Sequence, residues 1–338
     1  MAMANDFIVH FDLRNQHKNA IQMLEGAADY IHGNTNWQLL CEETVAHARL
    51  APFFDPTHGI QIEAFQNGKQ VRVGSDPAAL ATIAIDHLID RGFRRLCVYA
   101  LSSEFVSAFI AATDGRFLVE VFDTEPPAKT FVKGTAFVAS DVCAAMLSKI
   151  ILKSGLRVPD DVAILGIGND PIYCEPIPVP LSSIDIGAKL IGFRSAQLLH
   201  RLLQKREVSD VTLIPPRYIT ERASTDTIAI EDDDLRSAIL FIRRNAHRPL
   251  EIADVLRHVP VHRRSLERRF RSVLGRSPTE ELRRARVAIA QRLLARTDAP
   301  LSDVARSSGF ALPQHLAAAF KQVTGQTPSA YREQLKRK

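Results

Sequence analysis

The 338-residue chain is 46% apolar and 24% charged, the proportions of an ordinary folded protein with a large core. Its four cysteines, Cys41, Cys97, Cys143 and Cys174, stand singly, and no apolar run approaches 18 residues, so a disulfide scaffold, a Cys-based metal site and a membrane-spanning helix are all excluded. Charge is uneven: residues 231–338 carry 22 Lys and Arg against 12 Asp and Glu, a net of +10, while the rest carries 21 against 26. A basic C-terminal third on an acidic body points to a localised polyanion-binding module. The length suggests two domains, and Met1–Phe11 lacks the basic n-region of a signal peptide, so a cytoplasmic location is expected.

In chain order, Asp6–Phe11 reads as a strand, Ala20–Ile31 as an amphipathic helix and Trp37–Cys41 as a second strand. This strand–helix–strand unit is the signature of a parallel sheet. Ile60–Phe65 and Val71–Val73 are weaker strands. Ala78–Arg91 is a helix closed by Gly92, with Asp76 and Pro77 at its start as cap and first-turn residue. Leu96–Ala100, Phe117–Phe122 and Thr135–Ala139 are strands, and Val142–Ser154 is a helix closed by Gly155. Val162–Ile167 is a buried strand and Ile186–Arg206 a long helix, followed by short strands at Val211–Ile214 and Tyr218–Thr220. The stretches Ala48–Gln61 and Leu101–Thr135 read as short of helices. Arg222–Asp234 is polar and acidic and reads as a linker, leaving a body of residues 1–225, a junction at 226–234 and a tail at 235–338.

The tail opens with a short amphipathic helix, Leu250–Arg257, then a tight turn, then Val261–Gly275 (VHRRSLERRFRSVLG). Leu266, Phe270 and Val273 form one apolar stripe at helical spacing; Arg263, Arg264, Arg268 and Arg271 lie mostly off it, and Arg269 flanks it. A helix, a tight turn and an arginine-laden second helix make a helix-turn-helix, with the second helix aimed at the major groove. Taken alone, the stretch reads equally well as a solvated basic helix. The repeat weighs against that: Leu266, Phe270, Val273, Gly275 and Pro278 recur as Leu316, Phe320, Val323, Gly325 and Pro328, and Arg271 as Lys321. The units therefore lie at about 250–275 and 301–325, with one extra residue in the second turn. Between them Ser277 and Glu280 form a capping box, with Pro278 at the first position of a helix running to about Arg296. At 1.5 Å per residue that helix spans roughly 27 Å, a length suited to placing two recognition helices about one DNA turn apart.

Residues from about 233 to 335 resemble the DNA-binding domain of the AraC family of bacterial transcription regulators. The resemblance is carried by Asp303-Val304-Ala305, Gly309-Phe310, Phe320-Lys321 and Gly325–Arg332 (GQTPSAYR). The body, from about 71 to 225, resembles the effector lobes of the LacI/GalR family through LIDRGFRRLCVY, VASDVCAAML, GLRVPDDVAILGIGND and PVPLSSIDI. Those lobes share the fold of periplasmic sugar-binding proteins, and that body joined to an AraC-type tail looks like the xylose-operon activators of the AraC family. The resemblance implies an α/β body of two parallel-sheet lobes followed by an all-α domain with two helix-turn-helix units.

It further implies a sequence-specific regulator controlled by a monosaccharide. Double-stranded DNA, a second copy of the chain and RNA polymerase would be its partners, and no cofactor is expected. Arg263, Arg264, Ser265, Arg268 and Arg271 in the first unit, with Gln314, His315 and Lys321 in the second, are the candidate DNA contacts. The second recognition helix departs from the family in its Ala317-Ala318-Ala319 run, which leaves its base readout open.

Ligands of open parallel sheets sit beyond the carboxyl ends of strands, where this chain has Asp12 and Asn15, Asp141, and Asn169 with Asp170. By resemblance Asp141 and Asp170 are the leading sugar contacts. Asp141 reads equally well as the cap of Val142–Ser154, and Asp12 and Asn15 read better as turn residues. No GxGxxG, Walker loop, GxSxG or HExxH occurs, so an enzyme is not expected. A body that only dimerises, or a sugar-transport component, are the other readings.

Overall fold

The computed structural model describes residues 8–11, 18–35, 38–40, 49–55, 59–66, 69–204, 206–227, 229–230 and 232–336. They form two compact units. One comprises residues up to 87 and 94–226; the other comprises 88–93 and 227–337.

The body opens with β1 (Ile8–Phe11), α1 (Lys18–Asn34), β2 (Gln38–Leu40), β3 (Arg49–Asp55), β4 (Gly59–Gln66) and β5 (Lys69–Ser75). Then come α2 (Pro77–Ile89), β6 (Arg95–Tyr99), α3 (Ser103–Thr113), β7 (Leu118–Phe122), β8 (Thr135–Ser140), α4 (Asp141–Lys153), β9 (Val162–Ile167), α5 (Pro171–Cys174) and β10 (Ser182–Asp185). It closes with α6 (Ala188–Leu203), β11 (Val211–Ile214) and β12 (Tyr218–Thr220). Two six-stranded sheets result, ordered β11-β5-β4-β3-β1-β2 and β12-β10-β9-β8-β6-β7, each the centre of one lobe. The chain crosses between lobes three times, after β5, after β10 and after β11. These crossings are stitched together, with Asp76 N donating to Ile214 O at 2.8 Å and Arg217 N to Asp185 O at 2.8 Å.

The second sheet is parallel except at its edge, where β12 runs antiparallel to β10. Its central strand β9 is apolar, and Val162–Leu165 is fully buried, as a sheet covered on both faces requires. The first sheet departs from the expected parallel lobe, because β3–β4 and β4–β5 pair antiparallel. Only three and two residues separate these strands, whereas a parallel crossover needs a dozen or more. A second departure is α3, an 11-residue helix in a stretch read as lacking one. Ser102 accepts a bond from Phe105 N, and Phe105 and Phe109 point inward. The cap of α2 is as the sequence suggests, with Asp76 accepting from Ala78 N and Ala79 N at 2.9 and 3.1 Å. Helices α1 and α6 pack so closely that a Cβ on Gly192 would lie 1.8 Å from Met23 O. Gly192, which weakens α6 as an isolated helix, is the residue that permits this approach.

The tail unit contains α7 (Asp233–Asn245), α8 (Ile252–His258), α9 (Arg263–Leu274), α10 (Pro278–Arg296), α11 (Leu301–Ser307), α12 (Pro313–Thr324) and α13 (Pro328–Lys336). It has two apolar cores. The first gathers Leu235, Ile239, Ile242, Val255, Leu266, Phe270 and Leu282; the second gathers Val287, Leu294, Val304, Leu316, Phe320 and Tyr331. Helix α10 supplies residues to both, so its apolar positions are spread around it rather than held in one stripe.

The acidic stretch read as a linker is largely anchored. Ser224 and Thr225 are buried, with Ser224 Oγ donating to Ile164 O at 2.6 Å. At the other end Ile230 is buried in the first tail core, and Asp232 caps α7 by accepting from Leu235 N at 3.1 Å.

Candidate nucleic-acid interface

Helices α8 and α9 are joined by residues 259–262, and α11 and α12 by residues 308–312. Each pair is a helix-turn-helix, the second longer by one residue. Each second helix ends on a left-handed glycine, Gly275 with φ 69° and Gly325 with φ 78°. Leu266 and Phe270 in α9, and Leu316 and Phe320 in α12, are fully buried and orient their helices.

Fixing those stripes inward turns Arg264, Arg268 and Arg271 outward on α9, all exposed. Arg264 and Arg268 make no ion pair or hydrogen bond among the described residues. Arg263 is exposed and pairs with Glu267 at 3.0 Å, and Ser265 is half-buried. Arg269, beside the stripe, is half-buried and bonded to Asp232 at 3.0 and 3.1 Å and to Asp234 at 3.3 Å, so it locks α9 to the start of α7. On α12, Gln314, His315, Ala318 and Lys321 are exposed. Arg264, Arg268 and Arg271 occupy the same helical register as Gln314, Ala318 and Lys321, fifty residues on.

A buried ionic cluster fixes the turn between α9 and α10. Glu281 is 2% exposed. Its Oε1 accepts from Arg243 Nε at 2.8 Å and its Oε2 from Arg276 Nε at 2.7 Å. Arg276 also pairs with Asp90 at 2.8 Å, from the short segment 88–93 that belongs to this unit, and Arg243 donates to the Asp90 carbonyl. Burial raises the Glu281 carboxyl, but Arg243 and Arg276 outweigh it and hold the group below its ordinary value.

In the body, the described candidate ligand residues gather at the ends of β8 and β9. Ser140, not Asp141, caps α4, accepting from Cys143 N at 3.4 Å. Asp141 is 4% exposed and both its oxygens are committed. Oδ1 accepts from Ser183 Oγ at 2.5 Å and Oδ2 from Asp170 N at 2.7 Å. Burial among neutral donors pushes this carboxyl up to about 6, against the pull of those bonds. Gly166 makes the arrangement possible, since a Cβ there would lie 2.2 Å from Asp141 Oδ1. The helix-cap reading of Asp141 is thus corrected: Ser140 is the cap, and Asp141 staples the β9–α5 turn.

Asp170 caps α5, Oδ1 accepting from Ile172 N at 3.0 Å, while its Oδ2 accepts from Lys18 N at 3.3 Å. Lys18 Nζ also donates to Asn169 O at 3.1 Å, so the start of α1, in the first lobe, touches this turn of the second. Asn169 Oδ1 accepts from Arg222 at 3.1 Å. Asp12 and Asn15 lie outside the described residues.

The helix-turn-helix domain family matches residues 255–334, and the periplasmic binding protein-like domain family matches residues 85–225. The chain is similar to the xylose operon regulatory protein of Haemophilus influenzae, 26% identical over 286 residues covering 77% of this chain and 74% of that protein. It is similar to that of Escherichia coli K12 at 27% over 287 residues, covering 77% and 73%.

The chain is a DNA-binding transcription regulator that joins a helix-turn-helix domain to a periplasmic-binding-protein-like body.

The solved structure of a xylose-binding transcription activator shares this regulator's fold, with TM-score 0.57 and 22% identity over 98% of this chain and 99% of that one. Among the described residues no helix is long and apolar enough to cross a membrane. Two residues important to the regulator's interface escaped sequence reasoning. The spacing sets Arg269 at the flank of the apolar stripe but does not reveal the acidic partners on α7 that hold it. Glu281 looks like a first-turn charge suited to the helix dipole, and its burial follows from arginines that arrive from α7 and from the preceding turn.

Proposed function

We propose that this regulator reads two successive major-groove segments, spanning roughly 20 bp, through α9 and α12. A monosaccharide of the pentose class, held between the lobes of its body, controls that binding. Arg264 and Arg268 are the principal base or phosphate contacts, Arg263, Ser265 and Arg271 support them, and Gln314, His315 and Lys321 act in the second unit. The observation that carries the DNA assignment is the pair of outward cations, Arg264 and Arg268, left without protein partners on a helix held by its other face. The regulator works on this reading in the cytoplasm, as a homodimer that contacts RNA polymerase.

The names of the curated relatives support the sugar assignment, as does the meeting of lobes at Lys18, Asn169 and Asp170. Lys18 occupies there two acceptors, Asp170 Oδ2 and Asn169 O, that a polyol hydroxyl would take. An entering sugar displaces Lys18 and donates hydroxyl hydrogens to the same two acceptors, while Asp141 continues to hold the turn. Calorimetric titration of the full-length protein with D-xylose and other pentoses tests this. Asp170→Ala is expected to weaken binding roughly ten- to hundredfold, from the loss of a charge-assisted bond. Absence of heat from any monosaccharide at millimolar concentration favours the second reading, a body that serves only to dimerise. The commitment of both Asp141 oxygens within the protein supports that alternative.

A further inference from the structure

We infer that the two recognition helices select different base pairs, α9 a guanine-bearing segment and α12 an adenine–thymine segment one helical turn away. The inference rests on the assignment of α9 and α12 as groove-reading helices and adds which bases each one takes.

The argument starts from register. Leu316, Ala319 and Phe320 are buried, so the opposite face of α12 is centred on Gln314, Ala318 and Lys321, spaced i, i+4 and i+7. On α9 the same face carries Arg264, Arg268 and Arg271. The last pair, Arg271 and Lys321, keeps its charge in both units and suits a phosphate. The first two positions change chemistry altogether. A guanidinium presents a planar fork of donors, which matches the two acceptors O6 and N7 of guanine. A carboxamide presents one donor and one acceptor, which matches N7 and the N6 amino group of adenine.

Alanine at 318 presents only a methyl group, and the thymine C5-methyl is the one apolar group a base displays in the major groove. Opposite Ala318 a guanine would lose the water on O6 and N7 without gaining a donor, so the substitution disfavours G·C as well as favouring T. Leu312 adds to this. It stands at the start of α12, 45% exposed although it is a large apolar side chain, where α9 has His262. The entry end of a recognition helix is the part that lies nearest the base edges. An exposed leucine there, two residues before Gln314 and six before Ala318, adds a further apolar group at the entry end.

The test uses the full-length protein and a duplex library with a randomised core of roughly 30 bp, about three helical turns, from which bound molecules are selected. Two base-selective segments about one turn apart are expected, one rich in guanine and one in A·T pairs. Arg264→Ala and Arg268→Ala identify the α9 segment by relaxing its guanine preference. In the selected duplex, replacing thymidine by deoxyuridine in the other segment removes only methyl groups. It is expected to weaken binding about fourfold per contacted methyl, and to leave binding unchanged in the α9 segment. Ala318→Arg restores the fork and is expected to shift one position of the α12 segment to guanine.

Enrichment of guanine opposite α12, or indifference of that segment to both deoxyuridine and Ala318→Arg, overturns the inference while leaving DNA binding intact. Failure to enrich any duplex overturns base reading by either helix, and with it the assignment on which the inference rests.

Discussion

The two helix-turn-helix units are built on one apolar frame and closed by different forces. Leu266 and Phe270 answer Leu316 and Phe320, all fully buried. Where the first unit places Glu281, however, the second has Tyr331. Glu281 is clasped by Arg243 and Arg276, whereas Tyr331 packs its ring against Phe320 with centroids 5.3 Å apart. The helix start differs likewise. Ser277 and Glu280 cap each other's backbone in the first unit, but Thr327 only accepts from Ala330 N, because position 330 has no side chain able to return the bond. The difference teaches that a repeated fold constrains its apolar contacts while leaving its polar closure free to diverge. The unit closed by charge is also the one that presents arginines outward.

The largest expected effect comes from opening the ionic closure. Glu281→Ala strands two partly buried arginines and is expected to destabilise the first tail core by about 3–5 kcal/mol. Tyr331→Ala removes a buried ring and is expected to cost a similar about 3 kcal/mol, confined to the second core. Hydrogen exchange along α10 separates them, since α10 serves both cores. Equal loosening of both halves by either variant would show the units to be one cooperative block.

Acid distinguishes the closures next. Glu281 has a folded value held below the ordinary one, so its stabilisation is present at neutral pH and is lost as pH falls below the usual glutamate range through the folded value. The Tyr331–Phe320 ring contact does not depend on an ionised carboxylate and should not follow that loss. Asp141 in the body behaves oppositely. Its folded value of about 6 lies above the ordinary 3.8, so the folded body binds a proton more readily than the unfolded chain. The body therefore gains stability from this group as pH falls from about 6 toward about 4, and Asp141→Asn removes the effect. Carboxyl carbon shifts followed by NMR should show Asp141 titrating near 6 and Glu281 well below it.

The outward faces are expected to differ by less. Arg264→Ala or Arg268→Ala each costs about 1–3 kcal/mol of specific DNA affinity, and Gln314→Ala, which removes no charge, costs less. Binding isotherms at several salt concentrations check this, because only the arginine changes that touch phosphate lower the salt slope. A Gln314→Ala loss larger than either arginine loss would invert the comparison. The smallest effect is at the helix starts. Ser277→Ala is expected to cost about 1 kcal/mol of thermal stability, and Thr327→Ala only part of that.

Much of the tail was legible in the sequence. Leu266, Phe270 and Val273 define a helix face by spacing alone, Gly275 and Gly325 mark the stops, and the fifty-residue offset gives two units whose register then assigns Arg264, Arg268 and Gln314 to the surface. The start of α3 is equally legible, since Ser102 can cap and Phe105 and Phe109 stand four apart, although the surrounding stretch is short for a lobe helix. Helical spacing, turn glycines and caps act within a few residues, so one dimension suffices to read them.

Tertiary structure alone decided the roles of the polar residues. Asp141 meets Ser183 from 42 positions away, and the same carboxylate that looks like a strand-end sugar ligand becomes an internal staple through Gly166, whose missing Cβ lets it in. Arg269, which the spacing places only at the flank of the apolar stripe, becomes a lock because Asp232 and Asp234 reach it from α7, and Glu281 becomes the centre of a buried cluster. A charge is defined by its partners and by how much water they leave it, and both are set by packing between elements far apart in the chain.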